Sequence, residues 1–130
     1  MSEKSRVSAE IRDGYVVTAE TRGHTASTDE PFEEGGTDVS MTPKELFLSA
    51  LAGCKLTTMR MVANRKNWNT DGLSIVLELN EEEEIPVIHQ TISFPEHLTD
   101  EQQQKLTNIS HKCPVAKLVT RTLRITDTHK

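Results

Sequence analysis

The amino-acid sequence predicts one α+β domain covering residues 1–130, in which antiparallel hairpins surround a single long helix. Three observations predict this class. Residues 7–19 alternate between apolar and polar side chains around an Asp-Gly pair, residues 43–66 are apolar on nearly every helical face, and residues 73–94 alternate again. Strands that come in groups, without a strict strand-helix-strand repeat, favour hairpins over a parallel sheet. A chain of 130 residues is long enough to bury one hydrophobic core.

The N-terminal segment predicts three short strands. Residues 7–11 and 15–19 each alternate with a period of two, and Asp13-Gly14 between them is typical of a two-residue hairpin turn. A third strand is expected around residues 24–27. The following segment, up to residue 41, contains a proline and a Gly-Gly pair, which predict a loop.

The long helix is predicted from its own ends. Thr42 suits the N-cap, Pro43 suits the first helical position, and Glu45 completes a capping box with Thr42. The helix should continue to about Lys66, where a segment rich in Asn and Gly breaks it. Because its side chains are apolar on nearly all faces, we expect this helix to be buried.

A second hairpin is predicted after the helix. Residues 73–79 and 88–94 alternate between apolar and polar side chains. The run Glu81 to Glu84 falls between them. Such a run can mark an acidic binding patch, but charged side chains usually lie in water, which favours a solvated hairpin tip.

The C-terminal third predicts two helices and a final strand. Thr99 opens a surface helix, with Gln102 in the capping-box position. Pro114 suits the first position of a short helix, which makes Cys113 the N-cap. Residues 121–126, "RTLRIT", are typical of a last strand. The predicted order is therefore β-β-β-α-β-β-α-α-β.

Composition excludes several function classes. The net charge is −5, so a basic surface for nucleic acid or for an anionic membrane is not expected. The first residues are polar and charged and do not resemble a signal peptide, so a cytoplasmic protein is expected. Two cysteines are too few for a zinc-finger type of site. They leave open a redox pair or two inert thiols.

Cys54 and Cys113 are the candidates for chemistry. A thiol that reduces peroxide needs a thiolate, a nearby positive charge or donor, and a partner thiol that traps the sulfenic acid. The N-cap position of Cys113 favours its thiolate through the helix dipole. Cys54 lies in the middle of an apolar helix, where burial disfavours the charged form unless a cation is brought close. The pattern alone leaves open whether Cys54 is a core residue or a reactive thiol.

Two motifs together suggest a family. The first is a Gly-Gly loop before a Pro-started helix with Ala-Gly-Cys in its middle, in "GGTDVSMTPKELFLSALAGCKLTTMRM". The second is a Cys-Pro helix start far downstream, in "HKCPVAKLVTR". In this order they resemble the OsmC/Ohr family of osmotically induced and organic hydroperoxide resistance proteins. The upstream segment "TRGHTASTDEP" is also similar, so the resemblance covers nearly the whole chain.

The resemblance implies a fold and an activity. It implies an OsmC-like fold that forms an intertwined homodimer, with two active sites at the subunit interface. It implies that Cys54 is the peroxidatic cysteine, which attacks an organic hydroperoxide, and that Cys113 is the resolving cysteine, which closes a disulfide. A dithiol of the dihydrolipoyl type would reduce that disulfide. The resemblance implies no metal and no organic cofactor.

The resemblance also implies a charged partner for Cys54. The family supplies an arginine from an early loop, and Arg22 is the matching candidate. In the hydroperoxide resistance branch a glutamate ten positions before the cysteine pairs with this arginine, but here that position is Lys44. Glu45 stands one position later and can serve either as the arginine's partner or only as the capping residue. His111 is a candidate base or a solvated side chain.

Lys44 keeps a second function open. A relative without the arginine-carboxylate pair could have lost efficient catalysis. It would then bind a small ligand, or sense redox state, at the dimer interface. Catalytic turnover of peroxide with a dithiol, compared with slow or absent oxidation of the two cysteines, separates these functions.

Overall fold

The computed structural model describes residues 4–130, which form two small sheets and three α-helices. In chain order the elements are β1 (Ser8–Ile11), β2 (Val17–Thr21), β3 (His24–Thr28), α1 (Pro43–Arg65), β4 (Ser74–Asn80), β5 (Val87–Ser93), α2 (Asp100–Ser110) and α3 (Pro114–Val119). A single 3-10 turn precedes α1. The predicted α+β class and the predicted order through α3 are confirmed. The chain forms two compact units, which divide within α1 between Phe47 and Leu48.

The sheet of the first unit has the order β1-β2-β3, with antiparallel neighbours. Ile11 pairs with Val17, so residues 12–16 connect β1 to β2. The predicted two-residue turn at Asp13-Gly14 is therefore wrong. The turn instead forms one residue later, around Gly14 and Tyr15, where the N–H of Val16 donates to the carbonyl of Asp13 (3.3 Å).

The connection between β2 and β3 is the tight turn of this sheet. Thr21 pairs with His24, which leaves Arg22 and Gly23 as the two turn residues. Both have positive φ angles, 51° and 81°. This is the backbone of a type I′ turn, in which Asn or Gly is normally preferred at the first position. The predicted third strand is confirmed, and it places Arg22 at the tip of a hairpin.

Asp29 organises the loop between β3 and α1. Its buried carboxylate accepts hydrogen bonds from the backbone N–H groups of Glu30 (2.7 Å), Thr37 (3.2 Å) and Val39 (3.1 Å), and from the Thr37 hydroxyl (2.6 Å). The N–H of Asp29 donates to the carbonyl of Met41 (3.1 Å). The Asp29 side chain thus stabilises the predicted loop through hydrogen bonds to three of its residues.

The start of α1 is fixed by the predicted capping box. The N–H of Thr42 donates to Glu45 Oε1 (2.9 Å), and the N–H of Glu45 donates to Thr42 Oγ1 (3.2 Å). Two of the N–H groups that lack helical partners at a helix start are satisfied in this way. Both predicted ends of the helix are confirmed to within one residue.

The expectation that α1 is buried on all sides is wrong for the single chain. Phe47 is 36% exposed and Met61 is 56% exposed. The buried side chains lie four residues apart on one side of the helix: Leu51, Lys55, Met59 and Ala63. One chain covers only this stripe, and the stripe includes a lysine that the apolar pattern did not single out.

The core of the second unit lies between α1, α2 and the β4–β5 hairpin. Met59 and Ala63 of α1 pack with Leu98 and Leu106, and all four are buried. The antiparallel β4–β5 pair contributes half-buried residues such as Ile92 to this core. The predicted capping box at the start of α2 and the exposed glutamates at the hairpin tip are also confirmed.

The predicted final strand is not formed. Residues 121–130 contain no helix or strand, and Leu123 and Ile125 are 58% and 92% exposed. A strand exists only through pairing with another strand, and alternation of side chains alone does not supply one.

Candidate active site

The two cysteines come together within the second unit. Cys54 lies on α1 and is half-buried, whereas Cys113 lies at the start of α3 and is completely buried. Both are free thiols, and they lie close enough for Cys54 to raise the pKa of the Cys113 thiol. Two residues 59 positions apart in the printed sequence are thus neighbours in space.

Local sequence fixes the position of Cys113. Pro114 occupies the first position of α3, so the chain enters the helix from an extended conformation at Cys113. The Cys113 Sγ accepts a hydrogen bond from the N–H of Ala116 (3.4 Å). The predicted N-cap role is therefore confirmed, with sulfur in the place that oxygen usually takes.

The predicted helix-start contribution favours the Cys113 thiolate, but burial decides the net direction of its pKa. Burial raises the pKa of the Cys113 thiol above its ordinary value of 9.0, and Cys54 raises it further. The Ala116 N–H and the Lys55 ammonium oppose this rise. The helix-start contribution is real, but removal of the thiol from water outweighs it because burial penalises the charged form.

Lys55 is the site residue that the sequence reasoning missed. Its side chain is buried, with 5% exposed, and its Nζ donates to the carbonyl of Ser110 (3.0 Å). Ser110 Oγ in turn donates to the carbonyl of Thr107 (2.6 Å) and accepts from Gln90 Nε2 (2.9 Å). The spacing of the sequence indicates this burial, because Lys55 lies four residues from both Leu51 and Met59 on the apolar stripe of α1.

Arg22 and Glu45 belong to the first unit. Arg22 is exposed, and within residues 4–130 its side chain makes neither a hydrogen bond nor an ion pair. Glu45 uses one carboxylate oxygen in the capping box of α1. Its capping role is established, whereas its role as the partner of Arg22 stays a prediction.

Two further polar residues, His111 and Arg60, have hydrogen-bond partners of their own. His111 is exposed at the C-terminal end of α2 and has a backbone capping role. Arg60, another cation of α1, donates through Nε to Thr70 Oγ1 (3.0 Å) and through Nη2 to Asp71 Oδ1 (2.7 Å). Arg60 also borders a cleft of about 450 Å³ beside α1 that neither cysteine lines. Arg60 is thus engaged with the segment after α1 and not with the thiols.

The chain is similar to a known protein family. The family model described as OsmC-like protein matches residues 35–127, a segment that contains both cysteines. The chain belongs to the OsmC-like family. No match was found among curated protein sequences.

Solved structures of this family share the fold. A Psychrobacter arcticus protein, described as an osmotic stress induced and detoxification response protein, has a TM-score of 0.78 at 21% identity, covering 91% of this chain and 90% of its own. An OsmC-like protein from Mycoplasma pneumoniae has 0.72 at 18%, covering 92% and 89%. The organic hydroperoxide resistance protein OhrB of Bacillus subtilis has 0.64 at 21%, covering 90% of each chain. The OsmC-like fold is therefore established.

The apolar character of α1 also meets a membrane criterion. Within residues 4–130 it is one helix whose length and composition would allow it to cross a bilayer. Core helices of soluble proteins meet the same criterion, and OsmC-like proteins are typically soluble. The fold is consistent with a soluble protein.

Proposed function

We propose that this protein is a cysteine-based, thiol-dependent peroxidase that reduces organic hydroperoxides. The observation that carries the proposal is the interaction between Cys54 on α1 and Cys113 at the start of α3. Two free thiols that lie close together can convert a sulfenic acid into a disulfide before further oxidation. The fold shared with an organic hydroperoxide resistance protein supports the same substrate class.

The first half-reaction uses Cys54, the more accessible of the two thiols. Its thiolate attacks the terminal oxygen of the hydroperoxide, so that an S–O bond forms and the O–O bond breaks. The sulfur is oxidised to a sulfenic acid, and the alkoxide that leaves takes a proton to become an alcohol. The apolar surface of α1 favours a substrate with an alkyl group over hydrogen peroxide.

The second half-reaction uses Cys113. Its thiolate attacks the sulfur of the Cys54 sulfenic acid, an S–S bond forms, and hydroxide leaves and is protonated to water. The disulfide is reduced in two exchange steps by an external dithiol, which becomes a cyclic disulfide. A dithiol of the lipoyl type fits this need because it closes its own ring.

Arg22 is proposed as the cation that holds the Cys54 thiolate. Its backbone is in the left-handed region, where an arginine costs more than the Asn or Gly that a type I′ turn prefers. Unfavourable backbone conformations often persist at functional sites. Glu45 keeps one carboxylate oxygen outside the capping box and is proposed as the partner that orients Arg22.

The active form is proposed to be a cytoplasmic homodimer. Only 22% of the most apolar 18-residue window of α1 is buried within one chain. A helix this apolar needs a large partner surface, and a second copy of the chain is the simplest source of one. Sedimentation at several protein concentrations tests the dimer.

The test of the function is a peroxidase assay with matched variants. Wild type should consume a dihydrolipoyl-type dithiol when cumene hydroperoxide is added, and Cys54→Ser should abolish this. Cys113→Ser should retain sulfenic acid formation but lose the intramolecular disulfide. Mass spectrometry of wild type after one equivalent of peroxide should show the loss of two protons, mapped to Cys54 and Cys113. Equal turnover by wild type and Cys54→Ser would end the proposal.

Redox sensing is the second candidate function, and one observation favours it. Burial raises the pKa of the Cys113 thiol and so disfavours its thiolate, which slows disulfide formation. A sensor forms the disulfide once and keeps it, whereas a peroxidase turns over. Stoichiometric oxidation without consumption of the dithiol would favour the sensor.

A further inference from the structure

Among the residues that the structure describes, Lys55 is a buried cation without an acidic partner. Its side chain is 5% exposed, and the single hydrogen bond of its ammonium group goes to the neutral carbonyl of Ser110. Within residues 4–130 it forms no ion pair with a carboxylate. A buried charge is costly unless it is paired, so the identity of its counter-charge is a functional question.

The titratable group on which the charge of Lys55 acts is the Cys113 thiol. Cys54 precedes Lys55 on α1, and the charge of Lys55 acts favourably on the thiolate of Cys113. The groups on the other packed elements are neutral, namely Ser110 at the end of α2 and Gln90 on β5. The charged residues next to Cys113 in the chain, His111 and Lys112, are both exposed, as is Lys117 on α3.

Lys55 also holds the segment that carries Cys113. Ser110 is the last residue of α2, and its carbonyl has no N–H partner within the helix. A lysine donor at this position satisfies the carbonyl and complements the negative end of the helix dipole. The bond joins α1 to the chain only three residues before Cys113.

We propose that Lys55 is a positioning residue for disulfide formation, which holds the α2–α3 junction against α1 and supplies the counter-charge of the Cys113 thiolate. The reaction step rests on the proposed peroxidase function, whereas the pairing of charge does not. In that step Cys113 must lose its proton before attack on Cys54. The negative charge then passes to the departing hydroxide, so the cation assists while the thiolate exists.

The first test measures the charge pairing without peroxide. In a Cys54→Ser background, Cys113 is the remaining thiol, and its deprotonation is followed by absorbance at 240 nm against pH. We expect Lys55→Met and Lys55→Gln to move the midpoint to higher pH, and Lys55→Arg to move it much less. Lys112→Met is the matched control, because it removes the same charge from an exposed lysine beside Cys113. Equal midpoints in Lys55→Met and Lys112→Met would overturn the pairing.

The second test keeps Lys55 intact, so it decides the matter even where the Lys55 variants do not fold. The ε-carbon resonance of Lys55 is followed by NMR as pH rises, in Cys54→Ser and in Cys54→Ser/Cys113→Ser. A shift that coincides with deprotonation of Cys113 and vanishes in the double variant supports the pairing. A titration curve unchanged by Cys113→Ser contradicts it.

The third test concerns the reaction step. After one equivalent of cumene hydroperoxide, Lys55→Met should form sulfenic acid at the wild-type rate but close the disulfide about tenfold more slowly at pH 7, the order expected for loss of a close opposite charge. A purely structural role would lower stability and leave the pH profile of closure unchanged. Failure of wild type to react with peroxide removes the peroxidase function but leaves the first two tests valid.

Discussion

Truncation of Leu106 to alanine tests whether this residue belongs to the core of the second unit. Leu106 is completely buried on α2 and packs against Met59 and Ala63 of α1. The substitution removes three carbon atoms, worth roughly 2.4 kcal/mol of transfer free energy at about 0.8 kcal/mol each. The cavity left behind raises the loss to about 2.7–5 kcal/mol. This is a large part of the ~5–15 kcal/mol that stabilises a typical domain.

The assay is urea unfolding at one fixed protein concentration, followed by circular dichroism. Ile85→Ala is the matched control, because it removes the same number of carbons from a side chain that is 78% exposed at the β4–β5 tip. Surface changes of this kind usually alter the free energy of unfolding by less than about 0.5 kcal/mol. A loss below about 1 kcal/mol in Leu106→Ala, or one equal to the control, would refute the assignment of Leu106 to the core.

Three further predictions concern the first unit. Hydrogen bonding from Thr37 lowers the pKa of Asp29, so its carboxylate stabilises the fold above about pH 4 and this contribution is lost as the pH falls further. Asp29→Asn should therefore show a flatter dependence of unfolding free energy on pH between about 5 and 2, and an unchanged slope would contradict this. Gly36→Ala should destabilise by at least about 1 kcal/mol in urea unfolding, because a Cβ would overlap the carbonyl oxygen of Glu30; no loss would mean that the loop adjusts freely. Thr42→Ala should cost about 1 kcal/mol through loss of the capping box, and Thr42→Ser should restore most of it.

Helix ends were predictable because their signals are local. The N–H groups at a helix start are hydrogen-bonded by side chains at most three residues away, as in the capping boxes of Thr42 with Glu45 and Thr99 with Gln102. Pro114 has no N–H group that would need a partner. Each signal can therefore be seen in a short stretch of sequence. The predicted N-cap position of Cys113 was right for the same reason. The net direction of its pKa was not predictable, because burial depends on residues distant in sequence.

Strand pairing and burial were less predictable because they depend on non-local partners. In the β1–β2 pair Ile11 lies opposite Val17, a register that the local Asp13-Gly14 signal does not specify. Residues 121–126 have the alternation of a strand but no strand to pair with in the described chain. Lys55 was overlooked because lysine is seldom buried, so its place on the stripe of α1 was not taken as a sign of burial.

The two proposed cations serve different sulfur atoms, and this separates their effects. Arg22 is proposed to act on Cys54, the proposed peroxidatic sulfur, whereas Lys55 is proposed to act on Cys113, the proposed resolving sulfur. Lys44 at the usual glutamate position bears only on the first of these steps, through the orientation of Arg22. A weak arginine-carboxylate pair would therefore slow sulfenic acid formation and leave disulfide closure intact. The burial of Cys113 would have the opposite effect, because it would slow disulfide formation and leave the attack of Cys54 on the peroxide unchanged. The slower of the two half-reactions thus identifies which cation limits the cycle, and single-turnover kinetics of both steps can assign it.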